Sequence, residues 1–89
     1  MTISKETLKY NAITAFSQEE GAADFPGFVI TADTGWLDLP SNNREGSKTQ
    51  FRTFNITRGR NEEYYTIVGQ RHRNYETHPW VLDCNFQIG

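Results

Sequence analysis

From residue 80 to residue 88 the chain alternates apolar and mostly polar side chains without a break. One side carries Trp80, Leu82, Cys84, Phe86 and Ile88, and the other carries Val81, Asp83, Asn85 and Gln87. Because successive side chains of an extended chain point to opposite faces, this pattern predicts a half-buried strand. The single cysteine then lies among packing residues, which favours an inert core side chain over a reactive thiol.

A helical pattern occupies the N-terminal segment from Ser4 to Glu20. Its apolar side chains recur at helical spacing and form one stripe made of Leu8, Ala12, Ala15 and Phe16, with Ile13 at the flank. Ser4 is a suitable N-cap, Glu6 lies favourably in the first turn, and Gly21 supplies a stop signal. A strand is the competing interpretation, but Ile13 breaks the period of two that a strand requires.

Two short segments after the helix have strand character. Phe28–Ala32 is rich in β-branched and aromatic residues, and Trp36–Leu39 lies between the turn signal Asp33–Gly35 and Pro40. We therefore expect the two segments to pair as a hairpin. The polar segment Ser41–Lys48 has no apolar anchor, which predicts a surface loop.

The centre of the chain predicts the longest hairpin of the sheet. Its strands are Thr49–Arg58 and Glu62–Arg73, and the pair Gly59–Arg60 between them suits a tight primed turn. Such a turn pairs Arg58 with Asn61 and thereby determines the register. The expected cross-strand pairs are Phe54 with Tyr65, Ile56 with Glu63, Arg52 with Ile67, Phe51 with Val68, Asn55 with Tyr64, and Lys48 with Arg71. Both faces then carry aromatic rings, so we expect the helix to cover one face only.

These elements predict an α+β fold, with one N-terminal helix packed on an antiparallel β-sheet of about four to five strands. The 89 residues suit a single domain spanning 1–89. A lone cysteine cannot form an internal disulfide, which favours a reducing compartment. The sequence has no N-terminal apolar run typical of a signal peptide and no segment long enough to span a bilayer, so the cytoplasm is the expected location.

The net charge of −2 is unevenly distributed along the chain. Residues 1–45 contain three basic and seven acidic side chains, whereas residues 46–89 contain six basic and four acidic ones. An acidic total disfavours capture of nucleic acid by the domain as a whole. The positive charge is concentrated in the central hairpin, which makes that hairpin the first candidate binding surface.

The first candidate site is a basic and aromatic group on that hairpin. It consists of Lys48, Arg52, Arg71, His72 and Arg73, with Tyr65 and Tyr75 close by in sequence. Like charges gathered on a strand pair attract an anion such as phosphate, and guanidinium groups beside rings are typical of surfaces that bind single-stranded nucleic acid. The alternative is a solvated face whose arginines pair with Glu62, Glu63 and Glu76, and the acidic net charge favours that alternative.

The second candidate site combines an aromatic ring with the polar loop and consists of Trp36, Asn42, Asn43 and Arg44. Rings bordered by arginines and adaptable polar residues are typical of protein-binding patches. Ordinary closure of the core at the ends of loops is the alternative, and the sequence does not separate the two.

No catalytic, metal or cofactor site is predicted. The two histidines and one cysteine lack the short spacings of metal ligands, and the seven glycines form no phosphate-binding loop. A Cys84 nucleophile with His72 or His78 as its base is disfavoured, because the strand pattern places Cys84 among apolar residues. An enzyme is therefore the least favoured class.

The sequence as a whole predicts a non-enzymatic binding protein that recognises another protein. Small chains of this kind include inhibitors and adaptors, among them phage-encoded blockers of host defence. The alternative is a nucleic-acid-binding module that uses the basic and aromatic face of the hairpin. A homodimer through the terminal strand is a further arrangement, because the outward face of that strand carries only one charge, Asp83.

Overall fold

A computed structural model describes residues 4–39, 47–59 and 63–89, apart from the side chain of Cys84. The elements are α1 Lys5–Ser17, β1 Val29–Asp33, β2 Leu37–Asp38, β3 Lys48–Arg58, β4 Glu63–Arg73 and β5 Val81–Ile88. The helix packs on one antiparallel sheet, so the predicted α+β fold is confirmed. The expectation of a core cysteine at position 84 lies outside the described side chains.

The helix α1 buries the predicted apolar stripe and begins at the predicted cap. The Ser4 hydroxyl accepts a hydrogen bond from the Thr7 backbone N–H at 3.2 Å, and Leu8, Ala12, Ala15 and Phe16 are buried. The helix ends at Ser17, earlier than predicted, and Gln18 is already extended. The Gln18 carbonyl accepts a hydrogen bond from the Arg52 guanidinium at 2.7 Å, so a tertiary contact replaces the next helical turn.

Strands β1 and β2 do not form the hairpin that the sequence predicted. Both pair with β3, β1 along Phe54–Thr57 and β2 along Gln50–Phe51, so they lie end to end beside one long strand. Between them the chain turns at Gly35, whose φ of +67° favours glycine and whose N–H donates to the Asp33 carboxylate at 3.0 Å. The full strand order is β1-β3-β4-β5, with β2 beside β3.

The predicted register of the β3–β4 hairpin is wrong by two residues. Arg58 pairs with Glu63 rather than with Asn61, and Lys48 pairs with Arg73 rather than with Arg71. The other expected pairs shift in the same way, with Phe54 opposite Ile67, Ile56 opposite Tyr65, Arg52 opposite Gly69, Phe51 opposite Gln70 and Asn55 opposite Thr66. The ion pair of Arg58 with Glu63 and the buried apolar residues of both strands favour this register. Because a shift of two leaves every side chain on its original face, the predicted faces remain correct.

The core lies between α1 and one face of the sheet, which we call the inner face. At its centre the Phe16 ring contacts the rings of Phe54 and Phe86 at centroid distances of 4.9 and 5.1 Å. A Cβ atom built at Gly69 would lie 2.8 Å from the Phe16 ring, so only glycine admits the ring at this point of β4. The inward residues of β5, Leu82, Phe86 and Ile88, pack against this core as predicted.

The opposite face of the sheet has no helix over it in the described part of the chain and carries exposed residues such as Val29, Tyr64 and Val81. This agrees with the prediction that only one face is covered. Within the described residues, no helix combines the length and apolar character needed to cross a membrane.

Candidate functional site: an arginine and tryptophan cluster

The inner face of the sheet continues past the point where Phe16 meets Gly69. Every second side chain of β3 and β4 points to this face. At this end of the hairpin, the cross-strand pairs on the inner face are Gln50 with Arg71 and Lys48 with Arg73. This end of the inner face therefore carries three basic side chains. The rings that cover them come from the chain before β2 and before β5.

Two tryptophans and two arginines alternate in contact at this end of the sheet. The Cζ atom of Arg71 lies 4.4 Å from the Trp36 ring centre and 4.3 Å from the Trp80 ring centre. The Cζ atom of Arg73 lies 4.4 Å from the same Trp80 ring. We call Trp36, Arg71, Trp80 and Arg73 the Trp–Arg cluster. Cation–π contact of this kind holds a guanidinium rigidly and leaves its N–H groups directed along its plane.

A chain of polar side chains orients Arg71 within the cluster. Its Nε donates to Gln50 Oε1 at 2.8 Å, and Gln50 Nε2 donates to Asp38 Oδ1 at 2.8 Å. The Lys48 ammonium lies 3.7 Å from Asp38 Oδ2. The hydrogen bond from Gln50, followed by the positive charges of Lys48 and Arg73, lowers the pKa of Asp38 below its usual value. Gln50 and Lys48 contact the carboxylate directly, and Arg73 acts on it only through its charge.

The Trp–Arg cluster carries more positive charge than the described residues around it neutralise. Partial burial, followed by the positive charges of Arg52 and Arg73, lowers the pKa of Arg71. Among residues 4–39, 47–59 and 63–89, no ion pair involves Arg71 or Arg73. The Arg73 Nε is buried and has no hydrogen-bond partner among the described residues. Because this nitrogen is enclosed, an acceptor from outside the chain can reach only the terminal nitrogens of Arg73.

Arg52, which we predicted as a binding residue, is fully buried and holds the fold together. Its Nε and Nη2 donate to the two oxygens of the Asp33 carboxylate at 2.8 and 2.5 Å, and its Nη1 donates to the Gln18 carbonyl. These hydrogen bonds lower the pKa of Asp33, even though partial burial acts in the opposite direction. Arg52 thus joins the end of α1 to β1 and β3, and it offers no accessible donor to a ligand.

The other predicted site residues lie away from the cluster. His72 is on the opposite face, where its ring nitrogens contact Thr49 Oγ1 at 3.2 Å and Asn74 Oδ1 at 2.7 Å. Tyr65 packs edge to face on Phe28 at the other end of the hairpin. Tyr75 packs on His78 in the connection between β4 and β5. The structure therefore brings together only Lys48, Arg71 and Arg73 from the predicted basic and aromatic group.

For both tryptophans of the cluster, the observed contacts differ from the predicted ones. Trp36 was grouped with Asn42, Asn43 and Arg44, which lie outside the described residues; its half-buried ring instead lies between Phe16 and Arg71. Trp80 was expected to be the first core residue of the terminal strand, but it precedes β5 and covers two arginines. The spacing of Arg71 and Arg73, two apart on one strand, was the available signal for a shared aromatic partner.

Strand β5 is the outermost strand on its side of the sheet, where a homodimer or an added strand was predicted. Its pairing with β4 is irregular, because Gln70 pairs with Asp83 while Val68 pairs with Gln87. At this bulge the Asn85 backbone N–H donates to Asp83 Oδ1 at 2.9 Å. Bulges interrupt continuous pairing along an edge and protect it from other strands. The bulge therefore disfavours an added strand along β5, and the homodimer stays a prediction.

Comparison with known proteins gives no match to a family model, to a curated protein or to a solved structure.

Proposed function

We propose that this chain is a non-enzymatic binding protein that recognises an acidic surface of another protein through the Trp–Arg cluster. The observation that carries the proposal is the pair Arg71 and Arg73, held against two tryptophan rings without a carboxylate partner among the described residues. An acidic partner supplies the missing carboxylates, so the charges of the two surfaces are complementary.

The residue types of the cluster support a protein partner. Tryptophan and arginine are enriched among the residues that contribute most to protein–protein binding energy. A guanidinium that already contacts rings loses less conformational freedom on binding, and its planar donors match both oxygens of a carboxylate. The contacts of Arg71 with Trp36, Trp80 and Gln50 therefore prepare it for an acceptor before the partner arrives.

A nucleic-acid partner is the weaker alternative. The chain has a net charge of −2, and Asp38 lies beside Lys48 at the margin of the cluster. Two uncompensated arginines can neutralise about two phosphates, whereas proteins that bind nucleic acid commonly contact about six to ten.

The proposed mode of action is occupancy of a surface on a larger protein, as an inhibitor or an adaptor acts. A blocker of host defence encoded by a phage is one form that this activity takes in small chains. We propose the cytoplasm as the compartment, because the single cysteine fits a reducing environment.

Affinity capture with the immobilised full chain tests the proposal. The lysate is divided and one half is treated with nuclease, and the wild-type chain is compared with R73Q and K9Q. Lys9 is exposed on α1, so K9Q removes the same charge without touching the cluster. We expect the wild-type chain and K9Q to capture one protein in stoichiometric amount, with or without nuclease treatment. R73Q should not capture this protein.

Two results would overturn the proposal. Loss of all captured material after nuclease treatment would indicate a nucleic-acid partner, and that binding should weaken steeply as salt rises. Equal capture by R73Q and the wild-type chain would remove the cluster from the interface.

A further inference from the structure

We infer that the partner presents two carboxylates on alternate residues of an extended segment, one for each arginine of the Trp–Arg cluster. The inference rests on the proposed function and adds the spacing of the acidic groups that the site recognises.

The spacing follows from the positions of Arg71 and Arg73 on β4. Residues two apart on a strand share a face, and their Cα atoms are about 6.5–7 Å apart. Because each Cζ atom lies 4.3 or 4.4 Å from the same Trp80 ring centre, the two guanidinium groups are no more than about 9 Å apart. Acidic residues at positions i and i+2 of an extended segment repeat this spacing. Each carboxylate therefore meets one guanidinium when the segment lies along β4.

The donors that remain in the cluster fit this arrangement. Ring contacts occupy the faces of a guanidinium and leave the N–H groups in its plane. The Nε of Arg71 donates to Gln50, and the Nε of Arg73 is buried, so in both arginines the two terminal nitrogens are the donors for a ligand. Each arginine can thus donate two parallel hydrogen bonds from its terminal nitrogens to one carboxylate.

The charges argue for two carboxylates rather than one. Arg71 lies near the positive charges of Arg52 and Arg73, and Arg52 is already neutralised by Asp33. A single carboxylate leaves one of the two remaining guanidinium groups uncompensated. Adjacent acidic residues of an extended segment do not solve this, because their side chains point to opposite faces.

Intrinsic fluorescence reports this site directly, because the chain has two tryptophans and both belong to the cluster. The probes are two capped pentapeptides of identical composition, made of threonine and two aspartates. One has the aspartates at its second and fourth positions, and the other has them at its second and third positions. We expect the alternating peptide to bind about tenfold more tightly, which corresponds to about 1.4 kcal/mol.

Three variants control the measurement. K9Q should keep the tenfold preference, whereas R73Q should reduce it to about onefold. R73K keeps the charge but cannot offer parallel donors, so it should also lose most of the preference. Thermal unfolding of each variant, followed by circular dichroism, identifies any loss that comes from the fold itself.

The outcomes separate this inference from the proposed function. Two outcomes would overturn the spacing and leave the proposed function standing. In the first, the two peptides bind equally well. In the second, neither peptide binds, although R73Q still fails to capture the partner protein. Capture unaffected by R73Q would overturn both. Tighter binding of an oligothymidylate with the same number of charges would also overturn both, in favour of nucleic acid.

Discussion

Replacing Asp33 by asparagine should destabilise the fold strongly, because it leaves the buried Arg52 guanidinium without its counter-charge. Arg52 is completely buried, and Asp33 accepts two of its hydrogen bonds, at 2.8 and 2.5 Å. The Gln18 carbonyl would remain as a third acceptor at 2.7 Å. D33N is nearly isosteric, so the effect comes from charge and hydrogen bonding rather than from a cavity.

The magnitude follows from these contacts. Removing one member of a buried ion pair costs about 3–5 kcal/mol, and the acceptor that remains at Gln18 reduces this to about 2–4 kcal/mol. For a chain of this size, each kcal/mol lowers Tm by roughly 4–8 °C, so D33N should melt roughly 10–30 °C below the wild-type chain. Chemical and thermal unfolding monitored by circular dichroism measure both quantities.

The difference between D33N and the wild-type chain should depend on pH. Because the pKa of Asp33 is lower in the folded than in the unfolded chain, its contribution to stability is fully present above the unfolded value of about 4. It is lost as the pH falls through the folded value. The variant lacks this titration, so the gap in Tm should narrow in acid below about pH 4.

D38N provides the matched control, because it changes another aspartate to asparagine on the same face of the sheet. The Asp38 side chain is about half exposed and its ion pair with Lys48 is long, so D38N should leave Tm nearly unchanged. If D33N melted at the same temperature as D38N, or if its gap from the wild-type chain did not change with pH, the structural role assigned to Arg52 would be wrong.

Two further substitutions test how the helix is placed. G69A should destabilise the fold by about 1–3 kcal/mol, because its Cβ meets the Phe16 ring. In a double-mutant cycle, F16L should lower the free energy of unfolding less in the G69A variant than in the wild-type chain. If the two losses of stability were additive, the contact between the two residues would be contradicted. S4A should cost about 0.5–2 kcal/mol by removing the acceptor for the Thr7 N–H; urea unfolding measures this, and an unchanged midpoint would refute the cap.

The terminal strand and the helix were predictable because their signals are local. The alternation of residues 80–88 and the stripe from Leu8 to Phe16 each reflect a period of the backbone itself. The stripe is buried, and Leu82, Phe86 and Ile88 pack against the core as predicted. The end of the helix was not predictable. It depends on the Gln18 carbonyl turning to Arg52, a residue that is distant in sequence.

The candidate site was only partly predictable. The arginines of β4 are visible in the sequence as a charged pair two residues apart, and this spacing alone places both on one face. Their aromatic partners come from Trp36 and Trp80, and no local pattern links these rings to Arg71. Arg52 shares the same face and the same residue type, yet it is buried because Asp33 lies within reach.

By itself the sequence determined where the helix begins and which of its side chains are buried, which positions of the strands face inward, and where positive charge accumulates. Only the tertiary structure decided that β1 and β2 both lie against β3, and that Arg58 pairs with Glu63. The reason is that registers two residues apart expose the same faces, so local periodicity cannot separate them. What separates them is the burial of distant groups together. The same burial turned Arg52 into a structural residue and placed Arg71 and Arg73 against the Trp80 ring.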